Sequence, residues 1–183
     1  MGFHHVALAS RDLPATHRFY TEACGFELVK AVVAPTDKPG GWAKHVFYDT
    51  GTAGDGGLIA FWELHDERME GKNTAISTGL GFEAWVNHLA FAATDVADLE
   101  RRRDRWRAHG NDTMQIDHGF CVSTYTMDPN GVLVEWCVDT QPYTQADRDH
   151  ALAMITATDP GLESPPSPEF FLAKDYVAAA AGV

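Results

Sequence analysis

Basic residues are scarce in this chain: 14 Lys and Arg stand against 26 Asp and Glu, for a formal net charge of -12. A surface of that sign repels phosphate backbones and anionic lipid, so neither nucleic acid nor a membrane is expected as a partner. Cysteine is scarce too. Cys24, Cys121 and Cys137 are odd in number and have no framework spacing, which argues against a disulfide scaffold and fits a reducing compartment. No apolar run approaches the roughly 20 residues that span a bilayer. The N-terminus opens on a strand pattern rather than on a charged and apolar signal segment, so a cytoplasmic protein is expected. The remaining composition is ordinary, 45% hydrophobic over 183 residues, which is enough for one real core built from two fused modules.

One stretch occurs twice. His5-Val-Ala-Leu-Ala-Ser-Arg-Asp12 returns as His88-Leu-Ala-Phe-Ala-Ala-Thr-Asp95, with the same spacing from histidine to aspartate. Strand alternation puts His5, Ala7 and Ala9 on one face and Val6 and Leu8 on the other. The second copy places His88, Ala90 and Ala92 against Leu89 and Phe91. The large apolar residues call for a covering helix, and the small ones leave room beside each histidine. His4 aligns with Asn87 and is expected on the opposite face, in a structural or surface role.

A helix follows each copy. Asp12 is a good N-cap with Pro14 in the first turn, and Gly25 stops the pattern. Asp95 caps the second helix, whose stripe is Val96, Leu99 and Trp106 and whose stop is Gly110. Arg101, Arg102 and Arg103 are expected on a solvated face. Three strands then follow in each half, near residues 26–34, 44–50 and 57–64 and near residues 111–116, 120–127 and 132–139. The chain therefore divides into a first βαβββ module (1–65), a polar connector (66–84), a second module (85–139) and a C-terminal segment (140–183). That segment holds a helix over Thr144–Ala157 and then an irregular, proline-bearing tail. The predicted fold class is α+β, the two modules forming a U-shaped mixed-sheet cup with flanking helices.

The final strands carry the chemistry. Aligning Gly57-Leu-Ile-Ala-Phe-Trp62 with Gly131-Val-Leu-Val-Glu-Trp136 sets Phe61 against Glu135. His5, His88 and Glu135 then project from three strands as two imidazoles and a carboxylate. That donor set suits a divalent transition metal and leaves coordination positions open. A buried carboxylate after an apolar run is costly unless something compensates it. Phe61 cannot ligate and is expected as an apolar wall against substrate. Glu63 is expected at the surface, Trp62 and Trp136 in the core, and Cys137 lining the cup beside Glu135.

The residues quoted, with Arg18-Phe-Tyr20, Gly25-Phe26 and Asp128-Pro-Asn-Gly131, resemble the vicinal oxygen chelate superfamily over about residues 3–138. Its members include glyoxalase I, bleomycin-resistance proteins, fosfomycin-modifying thiol transferases and extradiol dioxygenases. The resemblance implies a metal-dependent enzyme acting on a vicinally oxygenated small molecule, and a homodimer. His118, Tyr125, Asp128-Pro-Asn-Gly131 and Glu135 are similar to the extradiol dioxygenase signature, which implies Fe(II), with His118 and Tyr125 as catalytic residues beside the substrate oxygens. Two features depart from that signature. Thr124 stands where it has an aliphatic or Phe residue. Gly56-Gly57 stands where those enzymes carry an acid–base histidine, and His45 and His65 are left unplaced. The alternative is a glyoxalase-like lyase, isomerase or thiol transferase using Zn, Ni, Mn or Co. A third is a binding protein of the bleomycin-resistance type, without catalysis or metal.

Overall fold

The computed structural model describes residues 3–51 and 57–176, so Gly56 and residues 177–183 of the C-terminal segment lie outside the described residues. The first module comprises β1 (His5–Ala9), α1 (Leu13–Arg18), β2 (Glu27–Pro35), β3 (Trp42–Asp49) and β4 (Leu58–His65). The second comprises β5 (His88–Ala92), α2 (Val96–Ala108), β6 (Thr113–Asp117), β7 (Cys121–Met127) and β8 (Leu133–Asp139). The expected α+β architecture of two βαβββ modules with mixed sheets is what the chain adopts. The sheets run β1-β4-β3-β2 and β5-β8-β7-β6-β9, with β9 at Glu169–Phe171. In each module the first strand pairs parallel with the last, and the other neighbours pair antiparallel.

The helices start where the sequence places them. Asp12 accepts a hydrogen bond from Ala15 N at 2.9 Å, and Asp95 accepts one from Asp98 N at 2.7 Å. After α1 the chain makes a turn of π-helix over Phe19–Ala23, then leaves through Gly25, whose φ of 86° suits glycine. Arg101 is exposed as expected, but Arg102 and Arg103 depart from the solvated face expected of them. The Arg102 guanidinium lies 3.8 Å over the Trp136 ring and that of Arg103 lies 4.2 Å over Phe171, so both stems cover apolar surface.

One core joins the modules. Phe19, Tyr20, Phe26, Tyr48, Ile59 and Phe61 of the first pack with Trp106, Val134 and Trp136 of the second. Phe26 bridges directly, its ring 4.9 Å from Phe91 and 5.8 Å from Trp136. α1, α2 and the inner faces of both sheets line this core, a smaller cluster of Ala93, Leu99 and Val138 forms in the second module, and each sheet turns its other face outward.

The C-terminal segment begins with α3 (Gln145–Met154), capped by Thr144 and Asp147 in a capping box. None of its residues is buried. The proline-bearing stretch after it is not wholly irregular, because Glu169–Phe171 returns as β9 on the free edge of β6.

Candidate metal centre

Strand register decides which residues share a face. β1 pairs with β4 so that His5 stands opposite Leu58 and Ala7 opposite Ala60. β5 pairs with β8 so that His88 stands opposite Leu133 and Ala90 opposite Glu135. The two histidines therefore occupy the same rung of equivalent strand pairs. The counterpart of Glu135 is Ala60, not Phe61. Counting from glycine misleads, because Gly57 directly precedes β4 whereas Gly131 and Val132 both precede β8. A one-residue slip carries a side chain to the opposite face. Phe61 accordingly lies fully buried against the π-helical turn after α1, its ring 4.8 Å from Tyr20, and cannot wall a substrate site. Trp62 moves the other way. It is 37% exposed on the outer face, while Trp136 is in the core as expected.

The second module carries two of the three expected donors. His88 Nε2 lies 2.9 Å from Glu135 Oε2. His88 Nδ1 lies 2.8 Å from the Trp85 carbonyl, which can only accept, so Nδ1 carries a proton and the ring is held with Nε2 toward Glu135. Glu135 is buried although its neighbours Val134 and Trp136 belong to the core. Tyr125 stands opposite Glu135 on the same face, with its hydroxyl 3.1 Å from His118 Nε2. Burial first, then the Glu135 carboxylate, pushes the Tyr125 phenol up to about 12, so it remains a hydrogen-bond donor. Tyr125 is thus beside Glu135 and has its ring 6.4 Å from that of His88, and His118 is joined to it through the hydroxyl. Cys137 follows on the same face, opposite Ser123.

The first module contributes His5 and a wall that sequence reasoning missed. The His5 ring is 5.5 Å from Phe47 and 6.2 Å from His45. His45 stacks on Trp62 at 3.8 Å, and among the described residues its buried Nε2 finds no hydrogen-bond partner. Burial, then neighbouring His5, holds its imidazole below the ordinary histidine range. Alternation along β3 between the core residues Val46 and Tyr48 and the outward His45 and Phe47 is the signal that points to it. His65 instead stacks on Trp42 at 3.7 Å and contacts Glu63 at 3.0 Å. Glu63 also pairs with Lys44 at 2.7 Å, and its side chain is only 16% exposed, so it is more buried than the surface role expected of it. His4 departs from the opposite face expected of it, since its Nδ1 lies 2.8 Å from His5 Nδ1.

The three strands that carry His5, His88 and Glu135 belong to two sheets. His5 is on the outer face of the first, His88 and Glu135 on the outer face of the second, and the inner faces enclose the shared core. Among the described residues no three His, Cys, Asp or Glu side chains converge to hold a metal.

A family model described as the glyoxalase/bleomycin resistance protein/dioxygenase superfamily matches residues 2–136. The chain belongs to that superfamily. No curated protein matches the chain. Among solved structures, it is similar to a glyoxylase/bleomycin resistance protein/dioxygenase domain from Frankia sp. EAN1pec. The TM-score is 0.57 at 21% identity, over 76% of this chain and 98% of that one. It is also similar to the fosfomycin resistance protein FosX from Listeria monocytogenes, with a TM-score of 0.53 at 20% identity, over 81% of this chain and 98% of that one. The same FosX complexed with Mn(II) and sulfate gives a TM-score of 0.51 at 21% identity, over 80% and 96%. At such identities these likenesses concern the superfamily fold, and the chemistry has to be argued from this chain's own residues.

Proposed function

We propose that this superfamily member is a divalent-metal enzyme acting on a vicinally oxygenated small molecule, with His5, His88 and Glu135 as ligands and Fe(II) extradiol-type dioxygenation as its chemistry. The observation that carries the reading is the shared rung of His5 and His88, with Glu135 in contact with one of them. Two neutral imidazoles and one carboxylate fit a divalent transition metal. Ala60, in place of a fourth donor, leaves room for substrate. Such a metal, when bound, supplies Lewis acidity and a meeting point for substrate oxygens and O₂.

The split of the ligands across two outer faces supports a homodimer in which His5 of one copy meets His88 and Glu135 of the other. A two-fold axis then generates two equivalent sites. Exposed apolar side chains support the same pairing. Val32 and Trp62 on one outer face and Met127 and Phe170 on the other are between 37% and 68% exposed. β1 and β5, which carry the histidines, are both edge strands.

Around such a site the protein's own groups have separable tasks. Phe47 and Trp62 form an apolar wall for a planar substrate, with His45 between them. Tyr125 donates a hydrogen bond to a substrate oxygen, and His118 holds the Tyr125 hydroxyl in place and relays its proton. Tyr125→Phe is therefore expected to lower kcat by about 100-fold while leaving metal content unchanged. Metal analysis and steady-state kinetics on one preparation separate the two.

The reading is tested by loading anaerobically purified protein with Fe(II) and following oxygen uptake across a catechol panel. Stoichiometric O₂ consumption with ring cleavage supports it. Tight binding of Mn, Zn or Ni without oxygen uptake by any diphenol would redirect the assignment to a lyase or transferase.

A further inference from the structure

His4 stands just ahead of the first residue of β1, and its ring folds back beside that of His5. The ring centroids are 5.1 Å apart, and the two Nδ1 atoms are 2.8 Å apart. We propose that His4 is a positioning residue that sets the tautomer of His5 and so makes His5 Nε2 available to a divalent cation. This rests on the reading of His5 as a ligand.

A hydrogen bond between two imidazole nitrogens needs one N–H and one lone pair, and a neutral ring has one of each. If His5 is to present a lone pair at Nε2, its proton must sit on Nδ1. His5 is then the donor across the 2.8 Å contact, and His4 Nδ1 accepts. The His4 proton moves to its own Nε2, on a ring that is exposed. The reverse arrangement, with His4 donating, would put a proton on His5 Nε2 and close it to the cation. The other module reaches the same end by a different partner, since His88 Nδ1 faces the Trp85 carbonyl at 2.8 Å. A carbonyl has no alternative to accepting, whereas an imidazole has one. His5 thus depends on a side chain where His88 depends on backbone, and a substitution can remove the first support but not the second.

The test uses the full chain without metal, labelled with ¹⁵N at histidine. Long-range ¹H–¹⁵N correlation spectra report which ring nitrogen of His5 carries the proton. The wild type is expected to show His5 protonated at Nδ1, and His4→Ala to shift it toward the Nε2–H form. His4→Gln, whose amide oxygen accepts, is expected to restore the wild-type pattern. Titration with Co(II) on the same proteins is expected to show affinity about 10- to 100-fold weaker in His4→Ala and near wild type in His4→Gln. An Nε2–H tautomer in the wild type, or unchanged Co(II) affinity in His4→Ala, overturns the proposal. Unchanged affinity in His5→Ala would instead overturn the ligand reading, and the role of His4 with it.

Discussion

Replacing Glu135 with alanine is expected to weaken divalent-metal binding by more than about 100-fold, beyond what the loss of an outer-shell partner costs. Glu135 is the anionic member of the proposed donor set, and its carboxylate already touches His88 Nε2 at 2.9 Å. Without it two imidazoles remain, and these lie on different sheets. The fold is expected to survive. Burying a carboxylate beside Val134 and Trp136 is unfavourable without a cation, so its removal also removes that penalty. Metal content after loading and desalting, read beside thermal unfolding of the metal-free protein, separates loss of a ligand from loss of structure. Glu63→Ala serves as the control, because Glu63 is held in a cross-strand pair with Lys44 and should leave metal content unchanged. Full metal occupancy in Glu135→Ala would contradict the assignment.

The second large effect concerns stability. Asp128→Ala is expected to cost about 3 kcal/mol, or about 10 °C in Tm for a chain of this size. Asp128 Oδ1 accepts from the backbone N–H of Asn130 and of Val132, each at 2.8 Å. Its Oδ2 accepts from Asn130 Nδ2 at 3.0 Å and from the Tyr20 hydroxyl at 3.1 Å. Tyr20 belongs to the first module and the other donors to the second, so one carboxylate both closes the turn before β8 and ties the halves together. Asn130 extends the link, donating to Thr16 Oγ1 at 3.1 Å and accepting from Arg11 N at 3.2 Å. Alanine would leave these buried donors without their acceptor, and urea unfolding measures the loss.

The same carboxyl gives a pH signature. Burial raises its folded-state pKa above the ordinary carboxylate value, against the opposing hydrogen bonds. The native state then holds this proton more tightly than the unfolded chain. Its contribution is greatest below the unfolded pKa of about 4 and declines as pH rises through the folded value. The stability difference between wild type and Asp128→Asn should shrink over that range. A difference independent of pH would contradict the buried, raised carboxyl.

Much of this was legible in the residues. The duplicated histidine strand, the aspartate caps and the apolar stripes specified two βαβββ modules, because each is a local pattern with a local cause. Glu135 was legible as a carboxylate stranded in an apolar run. Phe61 and Trp62 were misplaced because the glycines before β4 and β8 stand at different distances from the strands, and alternation magnifies a slip of one residue into a change of face. β9 was hidden in a proline-bearing tail, since a three-residue strand has too little pattern of its own and forms by pairing with β6. His4 was assigned by alternation, which does not govern a residue ahead of the strand. The separation of His5 from His88 and Glu135 onto two outer faces had no local signature. It follows from Phe26, Phe91, Trp106 and Trp136 packing into one interior, and alternation identifies a face without saying which faces meet.

The central claim, that each metal site takes His5 from one copy and His88 with Glu135 from another, is tested by mixing two inactive variants. His5→Ala and Glu135→Ala should each bind almost no metal alone. Unfolded together and refolded, they should form mixed dimers in which one site is intact, with His5 from the Glu135→Ala chain and His88 and Glu135 from the His5→Ala chain. Random pairing predicts recovery of about a quarter of the wild-type metal content, since about half the dimers are mixed and each holds one good site of its two. Sites contained within single chains would give no recovery at all, and that result would contradict the account.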